Sequence, residues 1–257
     1  LIPRDSILID SVLTAAPPDT LWQDTTYRAM RAFRNVRVYR EDMQAVCDSM
    51  SYNGRDSVMT LYTEPVCWSD NHQISADTIY IYMRNGTVDY ARGIGSALTI
   101  QQETRTYFDQ MAGKEMIAYI RDGELRQVDV NGNALTVFFP KEDDGSFLGV
   151  NTTQSSFVKV YLENQKIHHI LFTAQTTGTL YPLDQVPDGK DRLSGFFWAE
   201  QERPQQPADV FLRPQRTPRP VSGAVSAAAT EQETETTAQE THNESTNRSP
   251  RKLKSTK

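Results

Sequence analysis

Apolar and mixed positions alternate with a period of two in three segments of the chain, the pattern of strands with one buried face. The segments are ADTIYIYMRNG (76–86), GKEMIAYIRDG (113–123) and SFVKVYLENQK (156–166). The mixed face places Tyr82, Tyr119 and Tyr161 at equivalent positions, which predicts an aromatic row across neighbouring strands. The other face is apolar throughout and consists of Ile79, Ile81, Met83, Met116, Ala118, Ile120, Val158, Val160 and Leu162.

Turn signals and repetition extend this pattern into hairpins. RNGTVDYARGIGSAL (84–98) aligns without a gap to RDGELRQVDVNGNAL (121–135), and each phrase opens on an Asn-Gly or Asp-Gly pair that favours a tight hairpin turn. A looser third turn is predicted after Glu163, and earlier openings of the unit at Asp10 and Asp48. Since one hairpin cannot bury its apolar face alone, stacked hairpins around a continuous apolar interior are predicted. The fold class is all-β.

The segment near Asp24 is the exception, because Arg28, Arg31, Arg34, Arg37 and Arg40 recur at every third position. This spacing predicts a short helix or an irregular lead into the strand-like NVRVYR. The arginines are candidates for phosphate contacts, since guanidinium groups suit phosphate oxygens. The alternative is that they lie exposed and pair with carboxylates such as Glu41 and Asp42.

Composition divides the chain of 257 residues into three parts. With 38% apolar residues and a formal net charge of −6, it has room for one large core or two small ones and no signal for nucleic-acid binding. Residues 1–202 are predicted to hold the β-repeats, 203–220 a Pro-rich linker and 221–257 a disordered polar tail with too little apolar surface to fold. The chain begins at Leu1 and has no apolar export signal, so we expect a mature form or a fragment.

Longer phrases carry a family resemblance. VYREDMQAVCDSMSYNGRDSVMTLYTEPVCWSDNHQISADTIYIYMRNG (38–86), YFDQMAGKEMIAYIRDGELRQVDVNGNA (107–134), GVNTTQSS (149–156), GTLYPLDQVP (178–187) and GFFWAEQERP (195–204) resemble the OstA-like, or LptA-like, proteins of lipopolysaccharide export. The resemblance runs from about Asp5 to Leu212 and is strongest to a longer branch with more repeats, of which this chain would be the C-terminal part.

The resemblance implies an open, V-shaped β-jellyroll of two antiparallel sheets that binds lipid inside. It implies a periplasmic protein that carries lipid A acyl chains toward the outer membrane, with the apolar face given above as the groove lining. Lipopolysaccharide and other jellyroll export components, joined by edge-strand stacking, would be its partners. A ligand-free structural or adhesive β-module of the cell envelope is the alternative. A polysaccharide-active enzyme, with carboxylate pairs such as Asp48 with Asp77 or Asp89 with Asp129, has the least support, and no enzyme activity is expected.

Two cysteines leave a further alternative open. Cys47 and Cys67 lie in strand-like runs, so in an oxidising compartment they would bridge a hairpin, or they would be buried free thiols. The adjacent His168 and His169 point to opposite faces of a strand and do not form a metal pair. No metal and no cofactor are therefore expected.

Overall fold

The structure is a computed structural model that describes residues 26–163, 166–212, 216 and 219. The predicted tail at 221–257 and the repeat opening at Asp10 lie outside the described residues. The described part contains twelve strands, three short 3-10 helices and no α-helix, which confirms the all-β prediction. The strands are β1 (Ala29–Tyr39), β2 (Gln44–Asn53), β3 (Val58–Tyr62), β4 (Val66–Ser69), β5 (His72–Ser75), β6 (Thr78–Arg84), β7 (Thr87–Gln102), β8 (Phe108–Arg121), β9 (Glu124–Phe138), β10 (Val150–Glu163), β11 (Lys166–Thr173) and β12 (Thr177–Tyr181).

The strands form a jellyroll because the long ones belong to two layers at once. β7 pairs with β6 through residues 87–94 and with β5 through residues 98–101, and β2 divides in the same way between β3 and β4. All pairings are antiparallel. Layer one has the order β1, β2, β3, β6, β7, β8, β9, β10, β11, and layer two has the order β1, β2, β4, β5, β7, β8, β9, β10, β12.

A line of corners marks where the strands pass from one layer to the other. The β7–β8 ladder shifts register between Ile94 and Ala97, and the β10–β9 ladder shifts between Ser155 and Phe157. Pairs of residues with positive φ mark this line on alternate strands: Arg34–Asn35, Thr63–Glu64, Gly95–Ser96, Gly132–Asn133 and Ala174–Gln175. The second turn of the repeated sequence phrase is therefore a corner of the jellyroll.

The predicted hairpins are confirmed. Asn85–Gly86 joins β6 to β7 and Asp122–Gly123 joins β8 to β9, each with two positive φ angles as a type I′ turn requires. Residues 164–165, between β10 and β11, lie outside the described residues. The arginine-rich segment is strand β1 rather than a helix, and its corner at Arg34–Asn35 explains the irregular sequence pattern.

The main core lies between the two layers. Its buried residues include Ile79, Ile81 and Met116 from layer one and Ala45, Cys67 and Ala97 from layer two. The layers remain open at both ends of the strand order, since in the described residues β1 pairs only with β2, and β11 and β12 only with β10. These free edges are the places where a further strand would add.

Residues 182–212, which we call the strap, cover the outer face of layer two. Its aromatic side chains pack on β4, β7 and β8, with Phe197 against Trp68 and with Phe196 and Trp198 against Phe108. The strap includes the start of the predicted linker, because Arg203 Nε donates to Gln44 Oε1 over 2.8 Å. The domain division at residue 202 stays a prediction.

Two glutamines bind the strap backbone as a neighbouring strand would. Gln73 Nε2 donates to the carbonyl of Phe197 and Gln73 Oε1 accepts from the amide of Ala199, both over 2.8 Å. Gln110 repeats the arrangement with the carbonyl of Asp191 at 2.9 Å and the amide of Leu193 at 2.8 Å. Layer two is therefore buried on both faces, whereas the outer face of layer one remains open.

Candidate functional site

The predicted apolar face lies in the interior. Ile79, Ile81, Met116, Ala118, Val158, Val160 and Leu162 are buried in the main core, and Met83 and Ile120 pack against it half-buried. Most of this face is already filled by side-chain contacts: Ile79, Ile81 and Met116 are each only 1% exposed. Val160 and Leu162 are the members that also line open space.

That space is a narrow cleft between the two layers toward β9, β10 and β11, with a cavity volume of about 30 Å³. A volume of this size holds about two water molecules, so an acyl chain would enter only if the two layers moved apart. Layer one supplies an apolar wall of Leu125, Val128, Val160, Leu162, Ile167 and Ile170. Layer two supplies the facing wall of His72, Thr99, Gln101, Asp109, Met111 and Thr136.

The wall from layer two is polar because three cross-strand neighbours lie at the mouth of the cleft. His72 on β5 pairs with Gln101 on β7, and Gln101 pairs with Asp109 on β8. One row closer to the corners, the hydroxyl groups of Thr99 and Thr136 donate to backbone carbonyls. The cleft therefore has one apolar wall and one mixed wall, in which Met111 and Phe138 lie beside the polar side chains. We call the row of His72, Gln101 and Asp109 the polar wall.

Burial controls the charge of the two ionisable residues in this wall. Desolvation lowers the pKa of His72, so its imidazole is neutral near pH 7. Its Nε2 is buried and has no hydrogen-bond partner in the described residues. Burial raises the pKa of Asp109 to about 7, although its Oδ1 accepts a hydrogen bond from the Phe139 amide over 2.9 Å.

Sequence reasoning did not identify His72, Gln101 and Asp109. The available signal was alternation in LTIQ (98–101), where Thr99 and Gln101 alternate with Leu98 and Ile100, whereas FDQM (108–111) has one apolar and one polar residue on each face. Taken alone, that alternation predicts that the apolar side chains face inward. The strap covers those side chains on the outer face, and the polar ones lie inside.

The predicted aromatic row lies on the outer face of layer one. Tyr82 stacks on Tyr90 with ring centroids 4.2 Å apart, and Tyr90 contacts Tyr119 at 6.2 Å. Tyr161 continues the row beyond Gln127 and stacks on His169 at 4.4 Å. Tyr90 and His169 were not part of the predicted row. The prediction that His168 and His169 point to opposite faces is wrong, because the ladder shifts register at His168 and the two Nδ1 atoms lie 3.1 Å apart.

The candidate phosphate-binding arginines lie at the opposite end of the strand order from the cleft. Arg28, Arg31 and Arg34 are exposed at β1, and Arg37 Nε donates to the carbonyl of Asp209 over 2.9 Å. Arg40 forms an ion pair with Asp42 at 3.0 Å, as the alternative interpretation expected. Phosphate binding by the other arginines stays a prediction.

Cys47 on β2 and Cys67 on β4 are both buried in the main core and free. Cys67 pairs across the strands with Ala45, two residues before Cys47. Burial raises the pKa of the Cys47 thiol to about 12 and raises that of Cys67 as well. A disulfide between them stays a prediction.

The carboxylate pairs considered for catalysis are held in separate contacts. Asp129 contacts Lys159 at 3.3 Å, and Asp89 contacts Arg84 at 2.8 Å. Asp48 accepts a hydrogen bond from the neighbouring Ser49 hydroxyl over 2.7 Å. Within the described residues, no group of three histidine, cysteine or acidic side chains is arranged to hold a metal ion, and no helix is long and apolar enough to span a membrane.

The chain is similar to known proteins in its structure only. No protein-family model matches the chain, and no curated protein matches it. Among solved structures, the chain is similar to LptH of Pseudomonas aeruginosa, described as the LptA-homologous periplasmic component of the lipopolysaccharide transport device. The TM-score is 0.42 and the identity 11%, over 55% of this chain and 95% of that chain.

Proposed function

We propose that this chain is a periplasmic lipid-binding protein that holds the acyl chains of lipopolysaccharide in the cleft during transport toward the outer membrane. The observation that carries the proposal is the apolar wall of Leu125, Val160, Leu162 and Ile167, which faces the narrow cleft between the two layers of an open jellyroll. An acyl chain would have to widen this cleft as it enters. The sequence phrases that resemble the OstA-like family support the same function.

The transfer free energies of an acyl chain allow such a carrier to work without catalysing a reaction. Each methylene removed from water contributes about 0.8 kcal/mol, so a chain of about twelve carbons gains on the order of 10 kcal/mol in an apolar cleft. A bilayer offers a similar gain, so transfer between the two costs little. The direction of transport must then come from other components.

Photo-crosslinking in living cells tests the proposal. A photoreactive side chain is placed at Leu125 or Leu162, which line the cleft, and at Tyr161, the neighbour of Leu162 that faces outward, as the matched control. Lipopolysaccharide adducts at the first two positions and not at Tyr161 are expected. If the folded, exported protein forms no adduct at either cleft position, the ligand-free structural module becomes the better interpretation.

We also propose that the free edge of β1 joins this jellyroll to another one. β1 presents Met30 and Phe33 with 50% and 69% of their surface exposed, and pairs only with β2 in the described residues. Unpaired strand edges accept strands from other chains. Light scattering over a concentration series is expected to show assembly that Arg31→Pro, which removes a backbone donor at this edge, abolishes. A strictly monomeric wild-type chain would count against self-stacking.

A further inference from the structure

Three Asn-Gly pairs lie in different environments of the fold: Asn53–Gly54, Asn85–Gly86 and Asn131–Gly132. In such a pair the backbone nitrogen of the glycine can attack the side-chain amide carbon of the asparagine, because glycine has no Cβ atom to shield that nitrogen. The reaction needs an asparagine side chain that is free to rotate and a glycine N–H that is free to react. All three pairs have the same two residues, so the fold decides which of them meets these requirements.

Hydrogen bonds hold both residues of the first pair. Asn53 Nδ2 donates to Asp56 Oδ2 over 3.1 Å, and Asn53 Oδ1 accepts from the Arg55 amide over 3.1 Å. The attacking group is engaged as well, since the Gly54 amide donates to the Arg28 carbonyl over 2.7 Å. Attack would therefore require three hydrogen bonds to break.

The third pair is held by its side chain and by the sheet. Asn131 Nδ2 donates to Glu115 Oε2 over 2.9 Å, so the leaving nitrogen is bound to a carboxylate. Asn131 also pairs with Glu115 on β8 and with Phe157 on β10, which fixes its main chain between two strands. Ring closure at this site would disturb both ladders.

The second pair has none of these restraints. Asn85 and Gly86 form the turn between β6 and β7, both are exposed, and their φ angles are 52° and 81°. Within the part of the chain that the structure describes, neither the Asn85 side chain nor the Gly86 amide takes part in a hydrogen bond. The Gly86 carbonyl accepts from Arg40 Nη1 over 3.0 Å, which leaves the reacting atoms free.

We propose that Asn85 is a site of spontaneous deamidation in the folded protein. The Gly86 nitrogen forms a bond to Cγ of Asn85 and loses its proton, while the Cγ–Nδ2 bond breaks and ammonia leaves. Water then opens the resulting succinimide ring. Attack of water at Cγ gives aspartate, and attack at the main-chain carbonyl carbon of residue 85 gives isoaspartate. Each product carries one more negative charge than asparagine.

The two products have different consequences for the hairpin, and neither depends on lipid binding. Aspartate keeps the main chain intact and tolerates positive φ, as Asp122 does in the equivalent β8–β9 turn. Isoaspartate adds a methylene group to the main chain, so the two-residue turn no longer matches the twist of its strands. It also displaces the Gly86 carbonyl from Arg40, the residue that follows β1. Isoaspartate therefore loosens this end of layer one.

Peptide mapping by mass spectrometry tests the proposal on the full chain, incubated at pH 8 either folded or unfolded in urea. Incubation in heavy-oxygen water labels the carboxylates that form during the experiment. In the folded chain, Asn85 should react at least about tenfold faster than Asn53 or Asn131, since the hydrogen bonds that must break first slow those two by roughly that factor. In urea the three sites should react at similar rates.

Matched variants assign the selectivity to the contacts. Glu115→Ala removes the acceptor of Asn131 and should speed deamidation of Asn131 without changing that of Asn85. Glu115→Gln keeps an acceptor oxygen at this position and is the control. Gly86→Ala places a Cβ atom beside the attacking nitrogen, where no other atom lies within 4 Å, and should slow the reaction at Asn85 alone.

The outcomes that overturn the proposal are distinct. Equal rates at the three sites of the folded chain would mean that the fold does not select Asn85. An intact Asn85 in the folded chain, while the unfolded chain reacts, would mean that the turn itself protects it. If Asn131 does not respond to Glu115→Ala, hydrogen bonding is not the source of the selectivity.

Discussion

Asp109 and His72 lie in the same wall of the cleft, and burial acts on them in opposite directions. The carboxyl of Asp109 is 8% exposed, and its charged form keeps only the hydrogen bond from the Phe139 amide as compensation. Nearby Glu103 raises the pKa of Asp109 further and Lys141 lowers it, but burial dominates. Both side chains are therefore driven toward their neutral forms.

Asp109→Asn should reveal how much the buried carboxylate lowers the stability of the folded protein at each pH. The pKa of Asp109 is about 7 in the folded chain and about 4 in the unfolded chain, so between these values the folded state binds a proton that the unfolded state releases. Raising the pH through this window removes stability from the wild type only. The asparagine variant can keep the hydrogen bond from the Phe139 amide. Between pH 4 and pH 8, its free energy of unfolding should therefore rise by up to about 4 kcal/mol relative to that of the wild type. Urea unfolding of both proteins measures this, and parallel pH profiles would contradict it.

Cys47 and Cys67 should be unreactive in the folded protein. A raised pKa removes the thiolate that alkylating reagents attack, so labelling of Cys47 by N-ethylmaleimide at pH 7 should be about a thousandfold slower than for a free cysteine. Mass spectrometry after unfolding without reductant then separates the two interpretations of the pair. Two labels indicate free thiols, and labels that appear only after reduction indicate a disulfide. Rapid labelling of the folded chain would contradict the burial.

At the scale of elements, the corners decide whether a long strand serves both layers. Gly95 has φ +76°, and a Cβ atom built on it would lie 2.2 Å from Asp77 Oδ2. The Asp77 amide also donates to the Gly95 carbonyl over 2.9 Å, which fixes the two strands at this corner. Gly86, in the β6–β7 turn, has a similar φ of +81° but no atom within 4 Å of such a Cβ.

Gly95→Ala should therefore destabilise the protein more than Gly86→Ala. Both changes place a side chain in the left-handed region, at about 1 kcal/mol each. At Gly95 the contact with Asp77 must also be relieved, so we expect a total of about 2–4 kcal/mol. Chemical unfolding of the two variants measures the difference. Equal losses would mean that the corner adapts without strain.

The same elements show how far the sequence can be interpreted. Alternation and the Asn-Gly and Asp-Gly pairs predict hairpins β6–β7 and β8–β9, because both signals are local to each hairpin. The sequence at Gly95–Ser96 has the residues of a turn. However, no feature of the neighbouring sequence distinguishes a corner from a hairpin. That distinction depends on which strands pair on either side, and β5 and β6 lie on separate halves of β7.

The polar wall of the cleft was beyond sequence reasoning for a related reason. Leu98 and Ile100 face outward because Leu193, Phe196 and Trp198 of the strap cover them. The strap lies about a hundred residues away in the chain, so no window around β7 contains its contribution. Thr99 and Gln101 consequently face the interior, opposite to the interpretation that alternation favours.

At the scale of the whole molecule, the strap makes the two layers unequal. It covers layer two with aromatic side chains, while the outer face of layer one keeps its tyrosine row exposed to solvent or half-buried. Gln73 and Gln110 lie in one cross-strand row through Ile100, so the strap crosses the strands and is bound at two places along that row. The polar wall of the cleft lies on the other face of these same strands.

Replacing the two glutamines should therefore weaken both the strap and the cleft. Gln73→Met and Gln110→Met keep the side-chain volume but leave two strap backbone groups each without a partner, at about 1–3 kcal/mol per variant. Gln127→Met, on the open face of layer one, is the matched control and should cost less than about 1 kcal/mol. Urea unfolding measures the stability, and limited proteolysis shows whether cleavage begins within residues 182–212. If cleavage is unchanged and stability falls by no more than in the control, aromatic packing alone holds the strap. If the strap is cleaved first and lipid crosslinking at Leu162 falls with it, the strap maintains the cleft from behind.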